Sequence, residues 1–119
     1  MLIEKLKTDF EFKDERGTLT QLARRGYSQV NVITSKGGML RGGHYHKLNT
    51  EAFFIVSGSC KVTAQKEKEN EEYEFHTGDF FRVSPYVFHD FYYYEDTILV
   101  SMYSLGVELD DGTQDTYTE

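Results

Sequence analysis

Hydrophobic residues in this chain recur in short alternating runs, and no stretch repeats convincingly at helical spacing. Gly58 to Gln65 carries the cleanest pattern. Cys60, Val62 and Ala64 point one way and Ser59, Lys61, Thr63 and Gln65 the other, as on a strand with one buried face. Tyr27 to Thr34 alternates as well, with Val30 and Val32 on one face and Tyr27, Gln29, Asn31 and Ile33 on the other. That mixture suits a strand between a core and a cavity. Met1 to Phe12 reads as one or two edge strands joined by Lys7-Thr8-Asp9, and Thr18 to Leu22 as a strand after the Asp14–Gly17 turn. Tyr73 and Phe75 start another strand, which turns at Thr77-Gly78-Asp79 and continues through Phe80 to Val83. His89, Phe91 and Tyr93 share one face of the next strand; Ile98, Val100 and Met102 line another. Lys66 to Glu72 is almost all charge and reads as a solvated hairpin loop rather than an acidic recognition patch. Short strands at regular spacing predict an all-β barrel.

The strand beginning at Glu51 is apolar on both faces, Phe54 and Val56 as much as Phe53 and Ile55. Its outer face therefore needs another sheet or another chain, and in a barrel this small the expectation is a homodimer. One domain spans residues 1–119, with an N-terminal strand extension over about 1–26 and a polar, loosely ordered tail over about 107–119.

Composition adds a few exclusions. Nine Phe, nine Tyr, ten Gly and a single Pro favour strands and turns. A net charge of −7 with no basic run argues against a nucleic-acid partner. Cys60 is the one cysteine, so no internal disulfide forms, and its place on the apolar side of a strand suggests a small core residue. No apolar stretch reaches the roughly 18 residues of a membrane helix and no signal-peptide pattern is present. The expectation is a cytoplasmic protein without a membrane partner.

Candidate chemistry is concentrated between Gly38 and Gly58. His44 and His46 are two apart, so on an extended segment both imidazoles leave one face. Glu51 follows a short polar turn, on the same face as Phe53 and Ile55. Two neutral imidazoles and a carboxylate converging on one side of a sheet make a first-row metal site. Gly37, Gly38, Gly42 and Gly43 mark turns and close backbone approach beside it.

The string Gly38, His44, His46, Glu51, Gly58 resembles the first signature of the cupin superfamily, in which two His and a Glu hold a metal inside a double-stranded β-helix. A shorter second signature ends in a histidine, here His89 after Ser84-Pro85-Tyr86-Val87-Phe88. Its gap is one residue shorter than the usual pattern and lacks the usual Gly. Asp14-Glu15-Arg16-Gly17-Thr18-Leu19 and Arg41-Gly42-Gly43-His44-Tyr45-His46-Lys47 are similar to segments of cupins that act on nucleotide-linked deoxysugars. The short second signature and Gly58-Ser59-Cys60-Lys61-Val62 resemble dTDP-sugar 3,4-ketoisomerases. His44-Tyr45-His46, Glu51-Ala52-Phe53 and Asp115-Thr116-Tyr117 resemble the cupin domain of the capsular-polysaccharide UDP-sugar reductase/epimerase. The dTDP-4-dehydrorhamnose 3,5-epimerases are more distant.

These resemblances imply an isomerase or epimerase that removes a proton beside the ketone of a nucleotide-linked 4-keto-6-deoxyhexose, through an enolate, in surface polysaccharide biosynthesis. Such chemistry needs a base, an acid and a stabiliser of the enolate. His44 and His46 are the catalytic candidates, with Tyr45 or Tyr93 to return the proton; Tyr92 and Tyr94 share that aromatic run and equally suit packing. Arg16, Arg41 and Lys47 are the candidates for holding the nucleotide sugar, Arg16 suiting a plain turn as well. The metal set is His44, His46, Glu51 and His89, for zinc, iron, nickel or manganese, with no organic cofactor. An imidazole whose lone pair is on a metal cannot also take a proton, so the metal and acid/base arrangements are alternatives. A non-catalytic cupin that binds a metal or small ligand, and a metal-dependent dioxygenase, stay open beside the isomerase.

Overall fold

The computed structural model describes residues 1–118, and among these the regular elements are eleven strands and no helix. In chain order they are β1 (Ile3–Lys5), β2 (Phe10–Asp14), β3 (Gly17–Gln21), β4 (Gln29–Ser35), β5 (Leu40–His44) and β6 (Glu51–Ser57). β7 (Ser59–Lys66), β8 (Glu69–His76), β9 (Phe80–Val83), β10 (Phe88–Tyr93) and β11 (Thr97–Tyr103) follow. Two antiparallel sheets, ordered β1-β9-β6-β11-β4 and β5-β10-β7-β8, face each other as a jelly roll. Hairpin β2–β3 stands apart as its own two-stranded sheet.

The alternation supplies the two inner faces. Phe53, Ile55, Phe81 and Leu99 come from the first sheet, and Cys60, Val62, Phe75 and Phe91 from the second; all are buried in one cluster. Phe75 and Phe81 stack across the sheets with ring centroids 3.8 Å apart. Burying each such side chain stabilises the fold by about 1.5–3 kcal/mol. Cys60 is fully buried, and burial, with Asp79 nearby, pushes its thiol up to about 12.

Three expectations change. The charged run Lys66 to Glu72 is largely strand: β7 and β8 pair up to Lys66↔Glu69 and turn over Glu67-Lys68, because solvent-facing charges do not prevent ladder bonding. On β4 the mixed face holding Asn31 and Ile33 turns inward, and the valine face is outermost, with Val30 and Val32 60% and 69% exposed. The segment after β11 is pinned down: Asp115 is fully buried, and Tyr117 exchanges two backbone hydrogen bonds with Tyr45, each 2.9 Å. At the other end of the outer face, Leu6, Leu22 and Tyr27 pack on Ala52, Phe80 and Met102.

β5 is bent where it meets β10. His44 pairs with His89 and Gly42 with Asp90, which leaves Gly43 as an extra residue in a bulge. Gly42 sits at φ +99, and a Cβ there would lie 3.0 Å from the His89 carbonyl oxygen and 3.1 Å from Asp90 Cα. Gly42→Ala is expected to cost about 1–3 kcal/mol in urea unfolding. Gly26→Ala is the control, with a similar φ of +93 but open space around it. Equal losses in the two variants would mean that close packing on β10 contributes nothing.

Candidate functional site

Three strands and one loop deliver four side chains to one end of the barrel interior. His44 is the last residue of β5, directed inward past the Gly42–Gly43 bulge. His89, on β10, lies between His44 and Ala64 of the flanking strands and shares its inward parity with Phe91 and Tyr93. Glu51 opens β6, in step with Phe53 and Ile55. His46 follows the isolated Tyr45–Tyr117 bridge, just before the 47–50 loop. One ligand atom from each of these four residues lies within 4.8 Å of all the others. His46, Glu51 and His89 are buried, and His44 is partly open.

Hydrogen bonding fixes the tautomers. His46 Nδ1 is 2.6 Å from the Asp115 carbonyl oxygen, and His89 Nδ1 is 2.9 Å from that of Val87. A carbonyl only accepts, so both Nδ1 atoms carry the hydrogen and donate it. Both Nε2 atoms are then left to face Glu51 Oε1, at 3.0 Å from His46 and 3.4 Å from His89. His89 Nε2 is buried and makes no hydrogen bond among the described residues. Glu51 Oε2 accepts the Ser101 hydroxyl at 2.5 Å. Two bare imidazole nitrogens and a carboxylate oxygen meeting without a proton repel, unless a cation or an added proton stands between them. The three-imidazole, one-carboxylate set with carbonyl-oriented rings fits a divalent metal.

Charge states follow from the same contacts. Burial pushes the Glu51 carboxyl up, but the neighbouring His46 and His89 rings and the Ser101 hydroxyl outweigh it and hold it at about 2. Burial, and then His89, press His44 down to about 4, so it is neutral at pH 7. Burial also pushes His46 down, yet Glu51 and the Asp115 carbonyl more than compensate and its net shift is upward.

A cavity of about 100 Å³ opens on the cluster, walled by Phe53, Phe91 and Leu99 with Tyr93 and Tyr103. Arg41 lines both this cavity and a larger outer cleft of about 610 Å³ that includes Lys36, Met39 and Leu40. Burial raises the Tyr93 hydroxyl, with Ser35 and Arg41 pulling the other way.

Of the residues singled out from the sequence, His44, Glu51, His89, Arg41 and Tyr93 line this cavity, and His46 meets them through the ligand cluster. Three others lie elsewhere. Tyr45 has opposite parity to the histidines and stacks between Tyr86 and Tyr117, with centroids 6.2 and 5.5 Å away. Lys47 is exposed, its Nζ 4.2 Å above the Tyr117 ring. Arg16 sits at the tip of hairpin β2–β3, bound to Asp14 at 2.6 Å.

Sequence reasoning missed Tyr103, Ser101 and Asn49, and named Asp115 only within a terminal motif, without a role at the site. Tyr103 meets His46 edge-on at 5.2 Å, and burial together with Glu51 raises its hydroxyl pKa. Its parity with Leu99 and Ser101 on β11 was a usable signal. Burial pushes the Asp115 carboxyl up, but N–H donors from Asn49, Lys47 and Leu48 hold it below the usual range. Its place against the loop carries no local sequence signal.

Solved structures share this architecture. A 3,4-ketoisomerase from Helicobacter canadensis aligns with TM-score 0.82 and 16% identity, over 100% of this chain and 92% of that one. The 3,4-ketoisomerase QdtA from Thermoanaerobacterium thermosaccharolyticum, in a histidine-to-asparagine mutant complexed with TDP-4-keto-6-deoxyglucose, aligns with TM-score 0.76 and 20% identity, over 98% and 86%. The capsular polysaccharide assembling protein CapF from Staphylococcus aureus gives TM-score 0.68 and 23% identity, over 92% of this chain and 33% of CapF. A UDP-2-acetamido-2,6-beta-L-arabino-hexul-4-ose reductase from Pseudomonas aeruginosa is 37% identical over 49 residues, 40% of this chain and 13% of the reductase. The chain therefore matches only about an eighth of that reductase's length. The polysaccharide biosynthesis C-terminal domain model matches residues 12–117, from β2 through the segment that pins the site. The chain belongs to the polysaccharide biosynthesis C-terminal domain family.

Proposed function

We propose that this chain is an isomerase or epimerase acting on a nucleotide-linked 4-keto-6-deoxyhexose through an enolate, with a divalent metal held by His44, His46, Glu51 and His89. The observation that carries the reading is the meeting of the His46 and His89 Nε2 atoms on one buried carboxylate oxygen, beside a cavity walled by Arg41 and two tyrosines. The relatives add direction. The P. aeruginosa protein is by name a reductase of a UDP-linked hexulose, and QdtA is a ketoisomerase complexed with TDP-4-keto-6-deoxyglucose.

Bound in the cluster, zinc, iron, nickel or manganese would polarise the keto oxygen and stabilise the enolate. The proton lost from the carbon would pass to a water molecule in the cavity, and Tyr93 and Tyr103, the wall hydroxyls that are not ligands, would return one. Their raised pKa values keep them protonated, suited to donating to the enolate. Arg41, at the junction of cavity and outer cleft, would hold the diphosphate while the sugar ring sits inside and the nucleoside outside. The phenylalanine and leucine walls would limit bulk water at the reacting carbon.

A metal-free arrangement is the second reading, favoured by the 3.0 Å His46–Glu51 contact and the upward shift of His46. There a protonated His46 donates to Glu51, and neutral His44 is the base. The chain is further proposed to work in the cytoplasm as a homodimer. The outer valines of edge strand β4, and Phe10, Phe12 and Leu19 on the detached hairpin, are apolar surfaces that a second copy would cover.

His46→Ala is expected to lose bound metal and to slow solvent deuterium incorporation beside the ketone by at least about 100-fold. Chelator should do the same to the unmodified protein, and added zinc should restore it. Turnover indifferent to chelator but abolished in His46→Ala would select the metal-free arrangement. No exchange from any 4-keto-6-deoxy nucleotide sugar, with metal-loaded folded protein, would leave a binding protein. Arg41→Ala should raise KM more than it lowers kcat.

The chelated protein has its own pH signature. Unfolded His44 takes up a proton as pH falls below 6.5, whereas the native ring resists until about 4, so stability falls across that window. In thermal melts from pH 7 to pH 4, His44→Asn should lose less Tm than the parent. Parallel curves would mean that native His44 titrates normally. Light scattering at micromolar concentration should give a dimer mass, and Val32→Glu a monomer.

A further inference from the structure

The 107–117 segment supplies the carbonyl that takes the His46 Nδ1 hydrogen, and the residue carrying it, Asp115, belongs to neither the ligand set nor the cavity wall. Its carboxylate accepts three consecutive backbone N–H groups of the loop between His46 and Glu51: Lys47 at 2.9 Å, Leu48 at 2.9 Å and Asn49 at 3.0 Å. The Asn49 side-chain amide adds a fourth bond at 2.8 Å and also donates to the Gly106 carbonyl at 2.9 Å. Asn49 Oδ1 accepts Leu105 N and Gly106 N, tying the loop to the chain just after β11. Asp115 N is itself bonded to the Val107 carbonyl at 2.8 Å. The same residue's carbonyl takes the His46 Nδ1 hydrogen.

A fully buried carboxylate with no cationic partner among the described residues is expensive, and here N–H groups of the loop alone supply its solvation. It converges the loop from both sides, so the separation of His46 and Glu51 is fixed by a residue far along the chain. The carbonyl and the carboxylate of one residue thereby set two things at once: the tautomer of one site imidazole, and the span to the carboxylate it faces.

We infer that Asp115 is a positioning residue, holding His46 in the Nδ1–H tautomer so that Nε2 is free for the metal. This rests on the metal reading above, but the ring's tautomer can be read without it. In the ¹⁵N-labelled full chain, His46 Nδ1 should carry a proton protected from solvent exchange, with or without zinc. In Asp115→Asn the amide replaces an acceptor in front of these donors. That signal should broaden or disappear, and zinc affinity should fall about 10- to 100-fold. Asp111→Asn in the same segment, whose carboxylate bonds only Thr113 among the described residues, should leave both unchanged.

An Asp115→Asn protein that keeps the protected proton and full zinc affinity would overturn the inference. If that variant fails to fold, the unmodified chain decides, because a proton-free His46 Nδ1 would overturn the inference and a protected one upholds it. A protected Nδ1 proton in a chain that binds no zinc upholds the positioning role and counts only against the metal.

Discussion

Everything near the site follows from one constraint: the Glu51 carboxylate is shut inside an aromatic barrel end with imidazoles as its neighbours. A lone carboxylate there would be protonated or expelled, because desolvation disfavours its charge. What keeps it ionised is the Ser101 hydroxyl together with the two imidazoles, once a proton or cation stands between them and the carboxylate. The rings cannot supply that environment unless each is held at its far nitrogen. This is why backbone carbonyls of Val87 and Asp115 occur where they do. The two sheets contribute unequally: β5 and β10 bring two rings as direct neighbours, β6 brings the carboxylate from the opposite sheet, and His46 joins them from a loop.

Much of this was legible in the sequence, for identifiable reasons. The alternation in Cys60-Val62-Ala64 and in His89-Phe91-Tyr93 depends only on strand parity, a local property, and the inward faces followed from it. Parity also brought out His44, Glu51 and His89. It failed at Tyr45, where nomination by sequence neighbourhood ignored that the residue between two inward histidines must face outward. It failed at Val30 and Val32 too, since alternation names two faces without saying which one a sheet will cover.

The remaining misses are long-range. Nothing near Asp115 indicates that its carboxylate meets N–H groups 66 to 68 positions earlier, and a polar, acidic tail looked loosely ordered for that reason. Arg16 shows the reverse error. Its turn motif was legible, but the hairpin carrying it lies away from this chain's own cavity. The bulge at Gly42–Gly43 lies between these cases: four glycines announced close approach, and only the pairing with β10 identifies the backbone approached.

The solitary thiol has a use of its own. Cys60 lies where the two inner faces meet, with no exposed surface and a proton held to about pH 12, so alkylating and oxidising reagents find almost no thiolate in the closed barrel. Any modification must pass through an opening that separates β7 from its neighbours, β10 and β8. The protein therefore carries a built-in clock for its own breathing: the rate at which this sulfur reacts counts barrel openings. Occupancy of the cluster at the barrel's end should register there as a slowing, with no label or engineered probe.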